Sequence, residues 1–275
     1  MLKPRLIPVL LLKNGVLVRS RTFSFHQHTG DPLGIVERFT AWKADELVYL
    51  DINRDETHDF RETMHAIGTT TSGKDIDATM TNDFLAIVRS VCEKCTIPLT
   101  VGGKIRSIED IRVKLKNGAD KVSINSEALR RPAFIEEASK AFGAQCIVVC
   151  IDAKRDEHTG TLEVMKGFGQ ESTGLSPVEW AKEAEARGAG EILLQSIDRD
   201  GTGRGYDIEL IRSVSEAVSI PVIALGGVGR FEHFVEGLRD GKASAVAAAN
   251  IFHFSEQSII KAKKHMKSAG VDVRL

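Results

Sequence analysis

Short runs of apolar and β-branched residues alternate with longer amphipathic stretches along the whole chain. Each run has four to seven residues, which is the usual length of a β-strand and too short for most helices. The pattern predicts eight strands, at Leu6–Leu12, Leu47–Ile52, Pro98–Val101, Lys121–Ile124, Cys146–Ile151, Glu191–Ser196, Pro221–Leu225 and Ala245–Ala249.

The stretches between these runs carry apolar residues at spacings of three and four, which predicts amphipathic helices. N-cap signals precede two of them, at Ser107 and at Ser176, which is followed by a proline. Gly118 and Gly188 end two helices and lead directly into the next strand. The clearest predicted helices are Ile108–Asn117, Pro177–Arg187, Ile208–Val218 and Phe231–Arg239.

Strict alternation of strands and helices predicts a parallel sheet, and eight strands are the number that closes a (β/α)8 barrel. A doubly wound open sheet is the alternative. An internal repeat favours the barrel, because residues 97–103 read Ile-Pro-Leu-Thr-Val-Gly-Gly and residues 220–227 read Ile-Pro-Val-Ile-Ala-Leu-Gly-Gly. We therefore expect one α/β domain over residues 1–275, a TIM barrel built of two similar (β/α)4 halves.

The two halves differ mainly by a polar insertion over residues 53–80, after the second predicted strand. The carboxyl ends of barrel strands form the face on which barrel enzymes carry their active sites, so the insertion emerges there. Two interpretations of it are open: a solvated surface excursion, or a lid or partner-binding flap.

Composition excludes several classes of protein. The net charge of −1 gives no electrostatic case for a nucleic-acid partner, and an aromatic content of 6% argues against a base-stacking platform. The apolar run Leu6–Leu12 is far shorter than the roughly 20 residues that span a bilayer. We expect a cytoplasmic protein with no membrane partner. Cys92 and Cys95 lack the second ligand pair of a structural zinc site, so no metal or other cofactor is expected.

Two glycine-containing loops follow strands at matched positions of the two halves. They lie at the carboxyl ends of the strands, where barrels commonly bind phosphate. Glycine lets the backbone approach an anion, and free amides at a helix start point toward it. Two such loops on opposite sides of the mouth predict an elongated ligand with a phosphate at each end. The first cradle comprises Gly103, Lys104, Asn125 and Ser126. The second cradle comprises Gly226, Gly227, Ala249 and Asn250, with the turn residues Asp200 and Gly201.

Carboxylates at the carboxyl ends of strands are the candidates for acid–base chemistry: Asp51, Asp152, Asp198 and Asp200. Asp152 ends an otherwise apolar strand, so its side chain is expected inside the mouth and partly desolvated. Desolvation raises the pKa of a carboxyl group and suits it to proton transfer. The alternative role for Asp152 is a helix cap or an ion pair with Lys154.

Four charged residues stand at the amino ends of predicted strands: Arg5, Glu46, Lys121 and Glu191. Two positive and two negative side chains entering the barrel floor neutralise one another. They form either a salt-bridged plug, because an isolated buried charge is too costly to keep, or a gate to a passage through the barrel. The residues alone leave both interpretations open.

The chain resembles the HisF family, the cyclase subunit of imidazole glycerol phosphate synthase, a lyase of histidine biosynthesis. The resemblance spans the chain apart from the insertion. Its carriers are Ala44–Val48, Ala119–Ser126, Ile151–Arg155, Asp198–Thr202 and Ile251–Phe254. It implies a barrel that receives ammonia from a HisH-like glutaminase subunit on its amino-terminal face and adds it to a bis-phosphorylated substrate. In that comparison the charged residues at the floor resemble the ammonia gate, the cradles resemble the phosphate sites, and Asp152 matches the catalytic general base.

Three departures from the family pattern fall at the chemical end of the barrel. Leu11 stands where the family has its second catalytic aspartate, and the internal repeat makes Leu11 the counterpart of Asp152. Leucine transfers no proton, and loss of a general acid typically costs about 10²–10⁴-fold in rate. Lys104 replaces a glycine of one phosphate loop, and Leu225 replaces a small hydroxyl residue of the other.

The favoured hypothesis is a HisF-like paralogue that keeps the glutaminase and the ammonia passage but serves another acceptor. The resemblance points to an amidotransferase of surface-polysaccharide sugar synthesis, docked at the carboxyl-terminal face through the insertion. One alternative is a genuine cyclase in which Asp152 works without Leu11. Another is a non-catalytic module that binds a phosphorylated metabolite.

Overall fold

The computed structural model describes residues 3–30, 32–53, 84–253 and 258–275. Most of the predicted insertion, residues 54–80, lies outside these ranges, and the prediction about it stays a prediction. In the described ranges no helix combines the length and the apolar character needed to cross a membrane.

The strands of the described chain form one closed barrel with two appended hairpins. They are β1 (Arg5–Lys13), β2 (Val16–Arg21), β3 (Phe25–Gly30), β4 (Leu47–Asp51), β5 (Leu99–Gly102), β6 (Lys121–Ile124), β7 (Ile147–Arg155), β8 (Leu162–Lys166), β9 (Glu171–Ser172), β10 (Glu191–Ser196), β11 (Val222–Leu225) and β12 (Ala245–Ala248). Parallel pairs run in the order β1-β4-β5-β6-β7-β10-β11-β12, and the β12–β1 pair completes the circle. The prediction of a (β/α)8 barrel is confirmed, and the open-sheet alternative was wrong.

Helices follow the barrel strands and cover their outer face. They are α1 (Pro32–Ala41), α2 (Phe84–Lys94), α3 (Ile108–Lys116), α4 (Ser126–Arg130), α5 (Ala133–Phe142), α6 (Pro177–Ala186), α7 (Ile208–Ser215), α8 (Glu232–Arg239) and α9 (Ile259–Ser268). Single 3-10 turns occupy Ala144–Cys146 and Asn250–His253.

The local signals at helix ends act as predicted in all but one case. Ser107 forms a capping box with Asp110 at the start of α3. Ser176 has the extended backbone of an N-cap, but its side chain makes no capping hydrogen bond. Gly118 and Gly188 have φ of +106° and +96°, a left-handed conformation that glycine adopts without strain as the chain leaves a helix.

Two antiparallel hairpins interrupt the alternation of strands and helices. The hairpin β2–β3 continues from β1, and the hairpin β8–β9 continues from β7. Asn14 and Gly15, both with positive φ, form the tight turn between β1 and β2, as an Asn-Gly pair between apolar residues indicates. These hairpins extend the first strand of each half, so the two halves are alike here too.

The interior of the barrel is filled by an apolar cluster distinct from the core between strands and helices. Strand side chains alternate between the two faces of the sheet, so every second residue points inward. The buried inward members are Ile7, Val9, Val48, Val148, Cys150, Leu193, Ile223, Leu225, Ala245 and Ala247.

A buried ion pair fastens the last helix to the start of β4. Lys263 of α9 and Asp45 lie 2.8 Å apart, and each side chain is only 3% exposed. The second carboxylate oxygen of Asp45 accepts a hydrogen bond from the amide of Leu6 at 2.8 Å. Asp120, which directly precedes β6, makes the same kind of contact: its carboxylate accepts a hydrogen bond from the amide of Leu99 at the start of β5. These aspartates lock the amino ends of neighbouring strands together.

Lys263→Met is expected to lower the free energy of unfolding by about 3–5 kcal/mol, because it leaves the buried Asp45 carboxylate without its cation. Denaturant unfolding followed by circular dichroism measures the effect. Lys3→Met is the matched control: it breaks the exposed Lys3–Asp272 pair, for which about 0–1 kcal/mol is expected. Equal losses in the two variants would contradict the structural role of the buried pair.

Candidate functional site

The four charged side chains at the barrel floor, called the charged ring below, form one closed set of ion pairs. Nη1 of Arg5 lies 2.6 Å from Glu46 and 3.0 Å from Glu191. Nζ of Lys121 lies 3.0 Å from Glu46 and 3.1 Å from Glu191. The hydroxyl of Thr100 donates a further hydrogen bond to Glu46 at 2.9 Å. Each cation therefore bridges both carboxylates.

The charged ring is largely withdrawn from water. The side chain of Glu46 is 2% exposed, and that of Arg5, the most open of the four, is 21% exposed. Burial of a charge is tolerated when a partner and hydrogen bonds compensate it, and here two cations balance two carboxylates. The structure thus brings together all four residues predicted at this end of the barrel.

Between the charged ring and the mouth the barrel interior is mainly apolar, with Ser123 of β6 as a buried polar residue on its inward face. Ile7, Val48, Val148, Leu193 and Ile223 are each at most 1% exposed. A charged species entering this section would lose its hydration without gaining a partner, whereas a small neutral molecule would lose much less. The apolar side chains of the interior therefore offer no partner to a charged species.

Asp152 lies at the mouth, on the inward face of β7, two residues beyond Cys150. Nδ2 of Asn125 donates to one carboxylate oxygen of Asp152 at 2.7 Å, and Sγ of Cys150 lies 3.5 Å from the other. Burial raises the pKa of Asp152 to about 6, with the hydrogen bonds opposing the shift and the nearby Asp200 charge adding to it. A carboxyl group with this pKa can both accept and release a proton near neutral pH.

Leu11 occupies the corresponding place on β1, the strand diametrically opposite β7 in the order of the barrel. Its side chain packs against the interior apolar cluster and lines the mouth together with Leu225. The mouth thus carries one carboxyl group on the β7 side and a hydrocarbon surface on the β1 side.

The first cradle has the backbone of an anion loop but already has internal partners. Gly103 has a φ of +101°, and a Cβ at this position would collide with the backbone of Asp51. Lys104 also has a positive φ, and its ammonium group lies 3.5 Å from a carboxylate oxygen of Asp51. Asn125 is engaged with Asp152, and Ser126 is exposed at the first residue of α4.

The second cradle is occupied by the β2–β3 hairpin. The hydroxyl of Ser20 donates to the Asp200 carboxylate at 2.8 Å, and the amide of Thr22 donates to the Asp200 carbonyl at 3.0 Å. Nδ2 of Asn250 donates to the Ser20 carbonyl at 2.7 Å. A Cβ on Gly201 would collide with this same stretch of hairpin backbone. Asp200 and Asn250 are therefore bonded to the hairpin, and the assignment of the second cradle to a phosphate stays a prediction.

The glycine pair of the second cradle is also tightly packed. Gly226 and Gly227 have φ of +103° and +98°, and the carbonyl of Gly227 accepts a hydrogen bond from Gly205 at 2.7 Å. The cavity that remains beside Leu11, Leu225 and Ala249 has a volume of about 20 Å³. A cavity needs roughly 10–15 Å³ to hold one water molecule, so this cavity has room for about one water.

The remaining candidate residues lie outside this constellation or are chemically quiet. Asp198 is exposed and accepts from the amide of Arg155 at 2.8 Å. Asp51 is buried beside the first cradle. Burial raises the pKa of Cys92 to about 11, so its thiol is protonated and unreactive at neutral pH. No group of three or more metal-binding side chains converges in the ranges the structure describes.

Three residues of the mouth were missed in the sequence. Ser20 was missed because β2 was not predicted, although the Asn-Gly turn before it is a hairpin signal. Gln195 pairs in register with Asp152 and lies 3.5 Å from Asp200. It was missed because it is the last residue but one of β10, whose apolar pattern indicates a buried core strand. Cys150 follows from alternation, because it is two residues before Asp152 on the same strand face.

An ionic floor, a mainly apolar interior and the buried carboxyl groups of Asp152 and Asp200 at the mouth define a (β/α)8 barrel with a polar site at its carboxyl-terminal end. A family model described as histidine biosynthesis protein matches residues 71–258, which is more than half of the chain. The chain belongs to this family. With its closed eight-stranded parallel barrel, it is a HisF-like protein, as the motifs of the sequence indicated.

Asp152→Asn is expected to stabilise the protein at neutral pH. The folded state binds the Asp152 proton more tightly than the unfolded state does, so this carboxyl group destabilises the fold increasingly as the pH rises from about 4 to about 6, and fully above that. A shift from 3.8 to about 6 corresponds to about 3 kcal/mol. Denaturant unfolding at several pH values should give a gain of up to about 3 kcal/mol near pH 8 that disappears below about pH 4.

The exposed Asp272→Asn variant controls for loss of one negative charge. A gain for Asp152→Asn that does not depend on pH would contradict the buried, high-pKa carboxyl group.

Proposed function

We propose that the chain is the barrel subunit of a glutamine-dependent complex, in which ammonia from a HisH-like glutaminase enters through the charged ring and leaves at the mouth for an acceptor other than the bis-phosphorylated cyclase substrate. The observation that carries the proposal is the contrast between the two ends of the barrel. The floor has the complete charged ring, while at the mouth Asp152 faces Leu11 across the barrel and residues of the second cradle are bonded to the hairpin.

The floor and the interior support the passage of ammonia. Ammonia is small and uncharged, so it can cross the layer of Ile7, Val48 and Leu193 without the desolvation cost that ammonium would meet. The charged ring is the only strongly polar layer before that section among the described residues. Arg5 and Lys121 sit between two carboxylates each, so one cation can move while the other keeps both acids compensated.

The mouth supports an acceptor other than the cyclase substrate. The two-carboxylate chemistry that the family resemblance implies has no partner for Asp152 at Leu11. Asp200 and Asn250 are bonded to the hairpin, and the space beside them has a volume of about 20 Å³. A phosphate with an attached carbon chain is much larger than the single water that fits there.

A genuine cyclase is the second candidate, and one observation favours it. Asp152 is hydrogen-bonded to Asn125 and has a pKa of about 6, which is the protonation behaviour a general base at the mouth requires. In this case the hairpin would release the second cradle when substrate binds.

The recipient of the ammonia, in the favoured proposal, is an amidotransferase of sugar synthesis that docks at the carboxyl-terminal face. Residues 53–80 follow β4 in the chain and are assigned to that docking. Deletion of residues 54–80 should abolish glutamine-dependent amidation by the recipient and leave the circular dichroism spectrum of a barrel. Unchanged amidation would contradict the docking role.

Cyclase turnover separates the two candidates. The purified protein is given the formimino bis-phosphate substrate with excess ammonium salt, so that no glutaminase is needed. We expect no turnover from the folded protein, and none from Leu11→Asp, because the second cradle remains filled. Substantial turnover by the unmodified protein would overturn the proposal in favour of the cyclase. A rate gain of about 10²–10⁴-fold in Leu11→Asp would contradict the filled cradle.

Lys121→Gln tests the passage through the floor. Removal of one cation leaves Glu46 and Glu191 with only Arg5 between them, so the set of ion pairs is no longer a closed ring and two carboxylates share one cation. In the complex with the glutaminase and the recipient, glutamine hydrolysis should continue while glutamine-dependent amidation falls. Amidation with ammonium salt should be unchanged. Lys182→Gln on the outer surface of α6 is the charge-matched control, and an equal effect there would refute the gate.

A further inference from the structure

The small cavity beside Leu11 and Leu225 lies where the apolar interior of the barrel ends, and we call it the exit cavity. Gln195, Asp200 and Asn250 also line it. They belong to the carboxyl end of β10, to the loop after β10 and to the 3-10 turn after β12. The volume of about 20 Å³ has room for one molecule of the size of water. Ammonia and the ammonium ion are of that size.

Asp200 contributes a buried carboxylate that has few partners. The residue is 7% exposed. Its Oδ2 accepts a hydrogen bond from the hydroxyl of Ser20 at 2.8 Å, with the amide of Phe23 at 3.5 Å. Among the described residues its Oδ1 has only Nε2 of Gln195, also at 3.5 Å, which is long for a hydrogen bond. Because a carboxylate oxygen has two lone pairs, Oδ1 can accept further hydrogen bonds.

A second buried carboxylate lies close to the exit cavity. Asp152 pairs in register with Gln195, whose side chain reaches Asp200. In the described part of the chain, neither Asp152 nor Asp200 forms an ion pair. The floor differs from this arrangement, because there two cations balance two carboxylates. A buried negative charge without a cation is costly, so the mouth favours the binding of a cation.

Asn250 adds an oxygen acceptor to the same cavity. Its Nδ2 donates to the carbonyl of Ser20 at 2.7 Å, which fixes the orientation of the amide group. Its Oδ1 is buried and has no hydrogen-bond partner among the described residues. A buried carbonyl oxygen normally accepts at least one hydrogen bond, so this oxygen is suited to a donor that enters the cavity.

We propose that the exit cavity is a binding site for one ammonium ion, held by the carboxylate of Asp200 and Oδ1 of Asn250. Ammonium carries only N–H donors, and these two groups are acceptors. The amide of Gln195 can present its oxygen as a third acceptor after a half-turn of the group. Leu11 and Leu225 form apolar walls that supply no competing donor. Binding does not depend on the ammonia passage, whereas the role of the cavity as its exit rests on the proposed function.

At the exit, the cavity would retain ammonia by a proton transfer. Burial raises the pKa of Asp200, so its carboxyl group keeps a proton up to a higher pH than an exposed aspartate does. Ammonia that leaves the apolar section takes this proton: the O–H bond breaks, an N–H bond forms, and an ammonium–carboxylate ion pair remains. Return of the proton to Asp200 releases ammonia for the acceptor.

Ammonium chloride is the probe for this site, and the full-length protein is used without any partner. The protein is labelled with ¹⁵N-glutamine, and the side-chain amide signals of Gln195 are assigned with Gln195→Leu. Choline chloride keeps the ionic strength constant during the titration. We expect ammonium to shift the Gln195 signals saturably. Asp200→Asn should weaken the affinity by about tenfold or more, since it removes the charged acceptor.

Asp198→Asn is the matched control, because Asp198 lies in the same loop and loses the same charge but is exposed and accepts from the amide of Arg155. It should bind ammonium like the unmodified protein. Leu225→Phe is a second test variant, which fills the cavity and keeps every acceptor, and it should also weaken binding. Circular dichroism and thermal unfolding establish that each variant is folded. Sodium, which donates no hydrogen bonds, should bind more weakly than ammonium.

Three results would overturn the proposal. The first is the absence of a saturable shift of the Gln195 signals. The second is an unchanged affinity in folded Asp200→Asn or Leu225→Phe, which would place the ion elsewhere. The third is equal affinity for sodium and ammonium.

These titrations need no glutaminase, so their outcome is independent of glutamine-dependent amidation. Ammonium binding without any such amidation would overturn the passage and leave the site. Amidation without ammonium binding would overturn the site and leave the passage.

Discussion

Closure of the barrel through the β7–β10 and β12–β1 pairs is the constraint on which the rest of the structure depends. Once the sheet is closed, every inward side chain meets those of the opposite strands in a space without bulk water. Apolar residues fill that space freely, but each charge needs a compensating group within it. At the floor the four residues of the charged ring compensate one another. At the mouth the hydrogen bond from Asn125 partly compensates the Asp152 carboxylate.

The same constraint makes the two ends of the barrel respond differently to change. At the floor, four side chains share their charges, so each one depends on the other three. At the mouth, Asp152 keeps a high pKa because little around it favours the charged form. With leucine at position 11, the opposite strand β1 offers that carboxyl group no second acid. The charges at the floor therefore cancel one another, whereas Asp152 at the mouth can take up and release a proton near neutral pH.

The β2–β3 hairpin connects β1 to the second cradle, one of the two loops predicted to bind phosphate. One of its faces, through Ser20, holds Asp200 and Asn250 of the second cradle. Along the same strand Arg19 alternates to the other face of the hairpin and donates to Gln27 of β3. Movement of the hairpin would therefore alter the second cradle.

The sequence by itself determined the eight barrel strands, the two similar halves and the residues of the charged ring. Strand periodicity and strand ends are local features of a sequence. It also indicated Asp152 as a buried carboxyl group, from the apolar run before it. Only the tertiary structure decided that the hairpin is bonded to Asp200 and Asn250 of the second cradle. Those contacts join residues up to about 230 positions apart in the chain. Such pairings depend on how helices and hairpins pack on the closed barrel, and no local pattern encodes them.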